Sequence, residues 1–309
     1  MKKKEIKIGT FNLNNLFGRF NFEASIEKIA PLGVYSFNEK DKCWIKKPSG
    51  RLMKAKSKAE REKLAKIILN SGVEILAVQE VEDRKTLKKF NSEYLRRRYK
   101  YQVVIDGNDP RYIDVGLLSM YPLGAVTSWQ HYSDPESPDK LIFSRDLLQV
   151  EILSRDSRNL LFTLFVSHLK SNFVSPWLQG LEKEEQMKKN NHKRLRQSKA
   201  VVDIVSQQMG QNNRYIIAGD FNDTPDSKYL APLLENKLEL ENIVGRLPKS
   251  EQWTYIYKGK EQQLDYILAP PLMSKKIKEV KIGECKLKGR ATMPMCGSDH
   301  RPVFAVLDL

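Results

Sequence analysis

The chain has 309 residues, 40% of them hydrophobic, which is enough for one large core or two modest ones, and a single compact domain over 1–309 is expected. A net charge of +15 favours an anionic partner, nucleic acid first and an anionic membrane surface second, without bearing on fold. Cys43, Cys285 and Cys296 lack metal-ligand spacing and suggest neither a disulfide framework nor a zinc site, and no run approaches the ~18 apolar residues of a membrane span.

The first residues enter an alternating pattern at once, with Ile6, Ile8 and Phe11 as the apolar face of a strand and no apolar h-region of a signal peptide. A cytoplasmic protein with no stable membrane association is therefore expected. This strand ends in Asn12-Leu13-Asn14-Asn15. From Gly18 to about Ser57 the periodicity is lost, so 18–57 reads as an irregular insertion. Residues 40–66 carry eleven Lys/Arg against three Asp/Glu, and residues 275–290 carry seven against two. Either run reads equally well as a solvated surface or as a binding face.

Leu64, Ile67 and Ile68 then recur at helical spacing between Ser57 and Ser71, with Gly72 placed to cap the helix. Val73 to Glu80 is a buried strand with a carboxylate at its end. Asp83 can cap a helix bearing Leu87, Phe90 and Tyr94; strands follow at Tyr101–Ile105, Val115–Ser119 and Leu147–Leu153. Asn159 to Val166 is almost continuously apolar, a strand buried on both faces, and leads into Ser167-His168-Leu169-Lys170. Residues 172–199 read as a second insertion. A helix is predicted over 181–209, core-packing only in its second half, where Val201, Val202, Ile204 and Val205 lie.

Tyr215 to Ala218 is another buried strand. Gly219 permits a turn or a close approach, and Asp220, Asn222 and Asp223 follow. Alone, this stretch would read as an Asx-rich turn before a helix. A short helix is predicted near Lys228–Leu234, then paired strands at Trp253–Tyr257 and Gln263–Leu268 around Lys258-Gly259-Lys260, and a last strand at Val303–Leu309. Each half thus has a strand ending in polar groups, a helix, and a buried strand ending in an acid. That duplication suggests two layered halves packed face to face, with their strand ends on one cleft.

Collected in order, the polar strand-end residues are Asn12, Asn14, Glu80, His168, Asp220, Asn222, Asp265, Asp299 and His300. A hard divalent cation wants carboxylate and amide oxygens, a water nucleophile wants a carboxylate base, and imidazoles can neutralise or protonate phosphoryl oxygens. Singly, each has an ordinary structural reading. As a set they are a kit for cleaving phosphate esters.

Thr10-Phe-Asn12-Leu-Asn14, Gln79-Glu80, Asp114-Val-Gly-Leu-Leu-Ser119, Ser167-His168-Leu-Lys170, Gly219-Asp220-Phe-Asn222, Leu264-Asp265-Tyr-Ile-Leu and Gly297-Ser-Asp299-His300-Arg-Pro stand in the order in which the endonuclease/exonuclease/phosphatase family carries such motifs. The chain resembles that family, most of all its broad deoxyribonuclease I-like members. The resemblance implies an α/β fold of four layers, with two facing mixed β-sheets flanked by helices. It further implies that Glu80 is the principal Mg²⁺ ligand (Mn²⁺ in second place), with Asn14 and Asp299 near the same ion. Asn12 and Asn222 would hold phosphate oxygens, and Asp220 would activate the attacking water. His300 would stabilise phosphoryl charge or transfer a proton, with Asp265 orienting a histidine, while His168 is a candidate general acid. Arg111 precedes a strand at which relatives reach the scissile phosphate; a surface salt bridge with Asp109 or Asp114 is an equal reading. Lys193, Arg194 and Arg196 are candidates for contact with a duplex.

The function these observations predict is Mg²⁺-dependent hydrolysis of phosphodiesters in DNA, with RNA as the second substrate. A phosphatase or lipid phosphodiesterase on the same scaffold is the alternative, and a catalytically inactive nucleic-acid-binding protein is a third.

Overall fold

The structure is a computed structural model describing residues 5–18, 21–23, 51–53, 55–134, 137–174, 178–284 and 297–309. The three cysteines, most of the 18–57 segment and parts of both basic runs lie outside the described residues. In chain order the strands begin with β1 (Glu5–Leu16), β2 (Asn21–Glu23), β3 (Arg51–Met53), β4 (Ile75–Val81), β5 (Tyr101–Val104) and β6 (Asp114–Ser119). Next come β7 (Leu123–Ser128), β8 (Ser133–Asp134), β9 (Ser137–Leu141), β10 (Leu147–Leu153), β11 (Leu160–His168) and β12 (Tyr215–Asp220). The last are β13 (Glu241–Asn242), β14 (Tyr255–Tyr257), β15 (Lys260–Gln262), β16 (Asp265–Ala269), β17 (Ile277–Ile282) and β18 (Val303–Asp308). The helices are α1 (Lys58–Ser71), α2 (Arg84–Glu93), α3 (Gly180–Met209), α4 (Ala231–Leu234) and α5 (Pro271–Ser274).

Two six-stranded sheets form the interior, in the orders β17-β18-β1-β4-β6-β5 and β13-β16-β12-β11-β10-β7. The first sheet takes its strands from the two ends of the chain and the second from its middle, and along each central strand successive residues face different layers. In β4, Ile75 and Ala77 face the other sheet, while Leu76 and Val78 pack under α1 and α2 with Leu64, Ile68, Leu87 and Phe90. On the other side Leu164, Val166, Ile216 and Ala218 fill the space between the sheets, whereas Phe165, Tyr215 and Ile217 pack under α3 with Val201, Ile204 and Val205. Because every central strand is covered on both faces, helix, sheet, sheet and helix form four layers, as predicted. Among the described residues no helix is long and apolar enough to cross a membrane.

The helix ends obey local chemistry. Ser57 and Glu60 form a reciprocal capping box on α1, and Gly72, at φ 71°, closes it in the left-handed conformation. Asp83 caps α2 through Thr86 N. In α3 no residue before Asn190 is buried, so the first part of the helix projects from the body while the second packs.

The predicted duplication is real at the level of pairing. β1 runs parallel to β4 across α1, and β11 runs parallel to β12 across α3. The carboxyl ends of four strands therefore point the same way in pairs. β18 is antiparallel to β1, and β16 is antiparallel to β12, so the amino ends of these strands arrive beside those carboxyl ends.

One expected hairpin is corrected. The turn at Lys258-Gly259 joins β14 to the short β15, and Asp265–Ala269 pairs instead with β12 and β13. An apolar run such as Tyr266-Ile-Leu-Ala is worth more inside the second sheet than in an exposed hairpin.

Candidate active site

The β1 and β4 ends are built by breaking a ladder. Their parallel pairing stops at Asn12–Gln79 and resumes at Leu16–Val81. In the gap Asn14, Asn15 and Glu80 adopt left-handed backbone, at φ 47°, 56° and 60°. Asparagine tolerates that region, but for glutamate it costs roughly 1 kcal/mol or more. The effect is to take Glu80 out of the sheet, where its Oε2 accepts from Asn15 N at 3.0 Å. The Asn12 carboxamide binds in two directions. Its Oδ1 accepts from Asn14 N at 2.8 Å, and its Nδ2 donates to Asp220 Oδ2 at 3.0 Å in the other sheet.

In the second sheet His168, Asp220 and Asp265 stand in one row, each directly opposite the next across β11, β12 and β16. All three side chains are buried. Gly219 makes the row possible: a Cβ there would lie 1.8 Å from the Ser167 carbonyl oxygen, at a φ of 153°. Asp220 Oδ1 accepts from Asn222 N at 2.8 Å, and Asn222 Nδ2 donates to Leu169 O at 3.1 Å and to Asp220 Oδ2 at 3.2 Å. Asn222, left-handed at φ 56°, thereby ties the β11 end to the β12 end.

The segment before β18 delivers the remaining groups. Ser298 Oγ donates to Asn12 O at 2.7 Å and accepts from His300 N at 3.0 Å, which fixes the Asp299–His300 turn on β1. The His300 Nδ1 lies 2.7 Å from Asp265 Oδ2, and its Nε2 lies 3.8 Å from Asp220 Oδ2. The Tyr255 ring covers His300 at 4.9 Å between centroids.

These surroundings set the charges. Burial and the neighbouring Asp265 push Asp220 up to about 7, against hydrogen bonds from Asn12 and Asn222 N and the attraction of His300. For His300 burial acts downward, but Asp265 and Asp220 outweigh it and hold the imidazole well above its ordinary value, so it is an imidazolium at neutral pH. His168 goes the other way, pushed well below its ordinary value by burial and by Arg145 and His300. Its Nε2 lies 3.4 Å from Asp220 Oδ2, while Nδ1 is buried with no hydrogen-bond partner among the described residues. Burial and the nearby cations thus hold the His168 ring neutral, with Nε2 facing the Asp220 carboxylate.

Two groupings could hold a divalent ion. Ligand atoms of Asp220, Asp265 and His300 lie within 4.8 Å of one another. However, the His300 Nδ1 is already engaged by Asp265 and the ring is cationic, which makes this trio an ion-paired relay and a poor ligand set. The other grouping is the hard oxygens of Glu80, Asp299 and the Asn14 amide: burial and then the charge of Asp299 push the Glu80 carboxyl up, so these two carboxylates repel each other.

Beside His168 the site turns basic. Arg111 binds Asp109 through Nε and Nη2 at 2.9 and 2.8 Å, one of the two salt bridges expected of it. Arg145 had no sequence signal beyond a charged Arg145-Asp146 step into an apolar strand. It is buried, with Nε 3.2 Å from Asp109 and Nη1 donating to Leu169 O at 3.3 Å, and its charge reaches Glu80 and Asp220. Lys170 is pushed down to about 8 by burial and by Arg145 and Arg111, and Lys193 is also lowered by burial and Arg145. Of the three cations expected on a duplex-binding face, Lys193 belongs to this group and Arg194 is corrected: it is buried, bound to Asp223, Lys170 O and Asn172, because it lies on the inward face of α3 and braces the strand ends. Arg196 is partly exposed and pairs with Asp134.

The family model for the endonuclease/exonuclease/phosphatase family matches residues 8–288. Among solved structures, an endonuclease/exonuclease/phosphatase family protein from Bacteroides thetaiotaomicron superposes with a TM-score of 0.60 at 14% identity, over 99% of this chain and 98% of that one. The human Nocturnin catalytic domain with bound sulfate gives 0.60 at 17% identity, over 98% and 93%. An AP endonuclease from Archaeoglobus fulgidus gives 0.59 at 17% identity, over 98% and 100%. No curated protein matches the sequence.

Proposed function

The chain belongs to the endonuclease/exonuclease/phosphatase family of metal-dependent hydrolases, and from that premise we propose that it is a Mg²⁺-dependent nuclease cleaving phosphodiesters in DNA, with RNA as a second substrate. The observation that carries the reading is the buried Asp220, tuned to about 7 beside a cationic His300 that is itself held by Asp265. A carboxylate at that value is a base poised for neutral pH. The basic group of Arg111, Arg145, Lys170 and Lys193 supports a polyanionic substrate.

In this reading Asp220 orients a water and takes its proton as the oxygen attacks phosphorus in line with the leaving group. Asn12 and Asn222 fix the Asp220 carboxylate, and the second hydrogen of the Asn12 amide meets a phosphoryl oxygen. His300 stabilises the phosphoryl charge as it builds, and Asp265 keeps that ring charged and oriented. Neutral His168 holds Asp220 and, with Arg145 and Lys170, faces the leaving-group side. An ion held by Glu80, Asp299 and Asn14 would supply Lewis-acid stabilisation of the phosphoryl oxygens.

The test is turnover of supercoiled plasmid, single-stranded DNA, RNA, a phosphomonoester and a phospholipid, with Mg²⁺ or with EDTA, beside Asp220→Ala. Metal-dependent cleavage of nucleic acid that disappears in the variant supports the proposal. Hydrolysis of the monoester or phospholipid with nucleic acids untouched moves the assignment to the phosphatase or lipid-phosphodiesterase reading.

A further inference from the structure

The turn that carries Asp299 is tied to a lysine that none of the motifs contains. Lys56 precedes the Ser57 cap of α1 and is buried, and its Nζ donates to the Gly297 carbonyl at 2.6 Å. Gly297 is pressed against the same helix start. At φ 82°, a Cβ on it would come within 2.4 Å of Glu60 O and 3.0 Å of the Leu64 side chain. The lysine therefore closes a short, tight segment: Lys56 binds Gly297, Ser298 binds Asn12, and Asp299 and His300 follow. Burial pulls the Lys56 ammonium below its ordinary value, while the charges of Glu60, Asp299 and Glu80 support it and Arg61 opposes it. Two of these three carboxylates are the ones proposed to hold the ion.

We propose that Lys56 is a resident cation of the ion site, anchoring the Gly297–His300 turn while its positive charge competes with the divalent ion for Glu80 and Asp299. The inference rests on the proposed assignment of those two carboxylates. An ammonium bound to a backbone carbonyl has a fixed position, so its charge cannot move away when the ion arrives. Repulsion between a fixed monovalent and a bound divalent charge in a partly buried site weakens ion binding. The same fixed charge eases the mutual repulsion of Glu80 and Asp299 when no ion is present. Lys56 is thus a positioning residue with an electrostatic consequence of definite sign: without its charge, the ion binds more tightly.

The experiment measures Mn²⁺ binding to the full-length chain by electron paramagnetic resonance for wild type, Lys56→Gln, Lys56→Met and Lys56→Arg, together with melting in EDTA. Glutamine keeps a donor for the Gly297 carbonyl and drops the charge, methionine drops both, and arginine keeps the charge. The expected result is an affinity tightened roughly tenfold in Lys56→Gln and near the wild-type value in Lys56→Arg, with a lower melting temperature in EDTA for Lys56→Met. A purely structural lysine would give unchanged or weaker binding in Lys56→Gln, and that result overturns the proposal. If Lys56→Gln does not fold, the comparison passes to Lys56→Met with the same required sign. Wild-type protein that binds no Mn²⁺ overturns the parent assignment as well, whereas normal Mn²⁺-dependent cleavage with unchanged affinity in both neutral variants overturns only the role of Lys56.

Discussion

Asn12 Nδ2 donates to Asp220 Oδ2 at 3.0 Å across 208 positions of sequence, joining the end of β1 in one sheet to the end of β12 in the other. Both residues are buried, so the bond is made in a medium where an unpaired amide or carboxylate would be costly. The two sheets are consequently locked at the one point where the proposed base must be aimed.

Asp220 should set the acidic limb of activity. Its carboxyl is raised to about 7, and a base works only when deprotonated, so kcat/KM should rise with pH and level off near or somewhat below pH 7 once a cation is bound. Asp220→Asn should lower kcat by about 10²–10⁴-fold with KM little changed. Initial rates from pH 5 to 9 check both; a flat profile in wild type would remove Asp220 from the role of base.

The His300–Asp265 pair should be visible to NMR. Because the folded-state value of His300 is raised, its contribution to stability is fully present below pH ~6.5 and is lost as pH rises through the higher folded value. Asp265→Asn should bring the imidazole titration down and lower activity by about 10²–10⁴-fold. Imidazole proton shifts followed over pH 5 to 10 in both proteins give the answer.

Ion binding should appear in melting curves independently of turnover. Mg²⁺ or Mn²⁺ at about 100 times Kd should stabilise wild type by about 2.7 kcal/mol, and EDTA should reverse the gain. In Glu80→Ala the gain should be absent while the metal-free protein keeps its melting temperature, since the substitution relieves the burial of Glu80 against Asp299. A metal-induced shift that survives in Glu80→Ala would place the ion elsewhere.

Asp114 offers a prediction about stability alone. It is buried at the start of β6, accepts from Gly107 N at 3.0 Å, and is raised to about 7 by burial and by Asp106, Asp109 and Asp146. A carboxyl raised in the folded state stabilises fully below its unfolded value near 3.8, and that contribution is lost as pH climbs through 7. Asp114→Asn retains the acceptor and removes the charge. It should be more stable than wild type at pH 8 by roughly 1–3 kcal/mol and nearly equal at pH 4, as read from urea unfolding at the two pH values.

Gly219→Ala should be among the most damaging single changes in the chain. The added Cβ meets backbone at 1.8 Å, and β11 cannot withdraw without breaking its pairing with β10 and β12. A loss above about 3 kcal/mol is expected, checked by denaturant unfolding or by solubility on expression.

The sequence by itself determined the layers and the row of chemical groups. Strand and helix periods over Ile75–Val81, Leu160–His168 and the second half of Gly180–Met209 were legible because these segments are buried on predictable faces, and nine polar residues stood where such strands ended. Gly219 was legible as a close approach, although the atom it approaches, Ser167 O, was not. Only the tertiary structure decided pairing and charge. Whether Asp265 lies in a hairpin or opposite Asp220 depends on which strands compete for burial, and no local pattern records that. Arg145 and Lys56 carry no motif, because their meaning comes from what lies within a few ångströms in space, and the same holds for two histidines of identical chemistry. His168 is neutral because burial and the surrounding cations Arg145 and His300 act on it together, and His300 is charged because it is bonded to Asp265 as well as close to Asp220. Periodicity is a property of neighbours in sequence, whereas desolvation and Coulomb interaction are summed over neighbours in space, which the fold alone assigns.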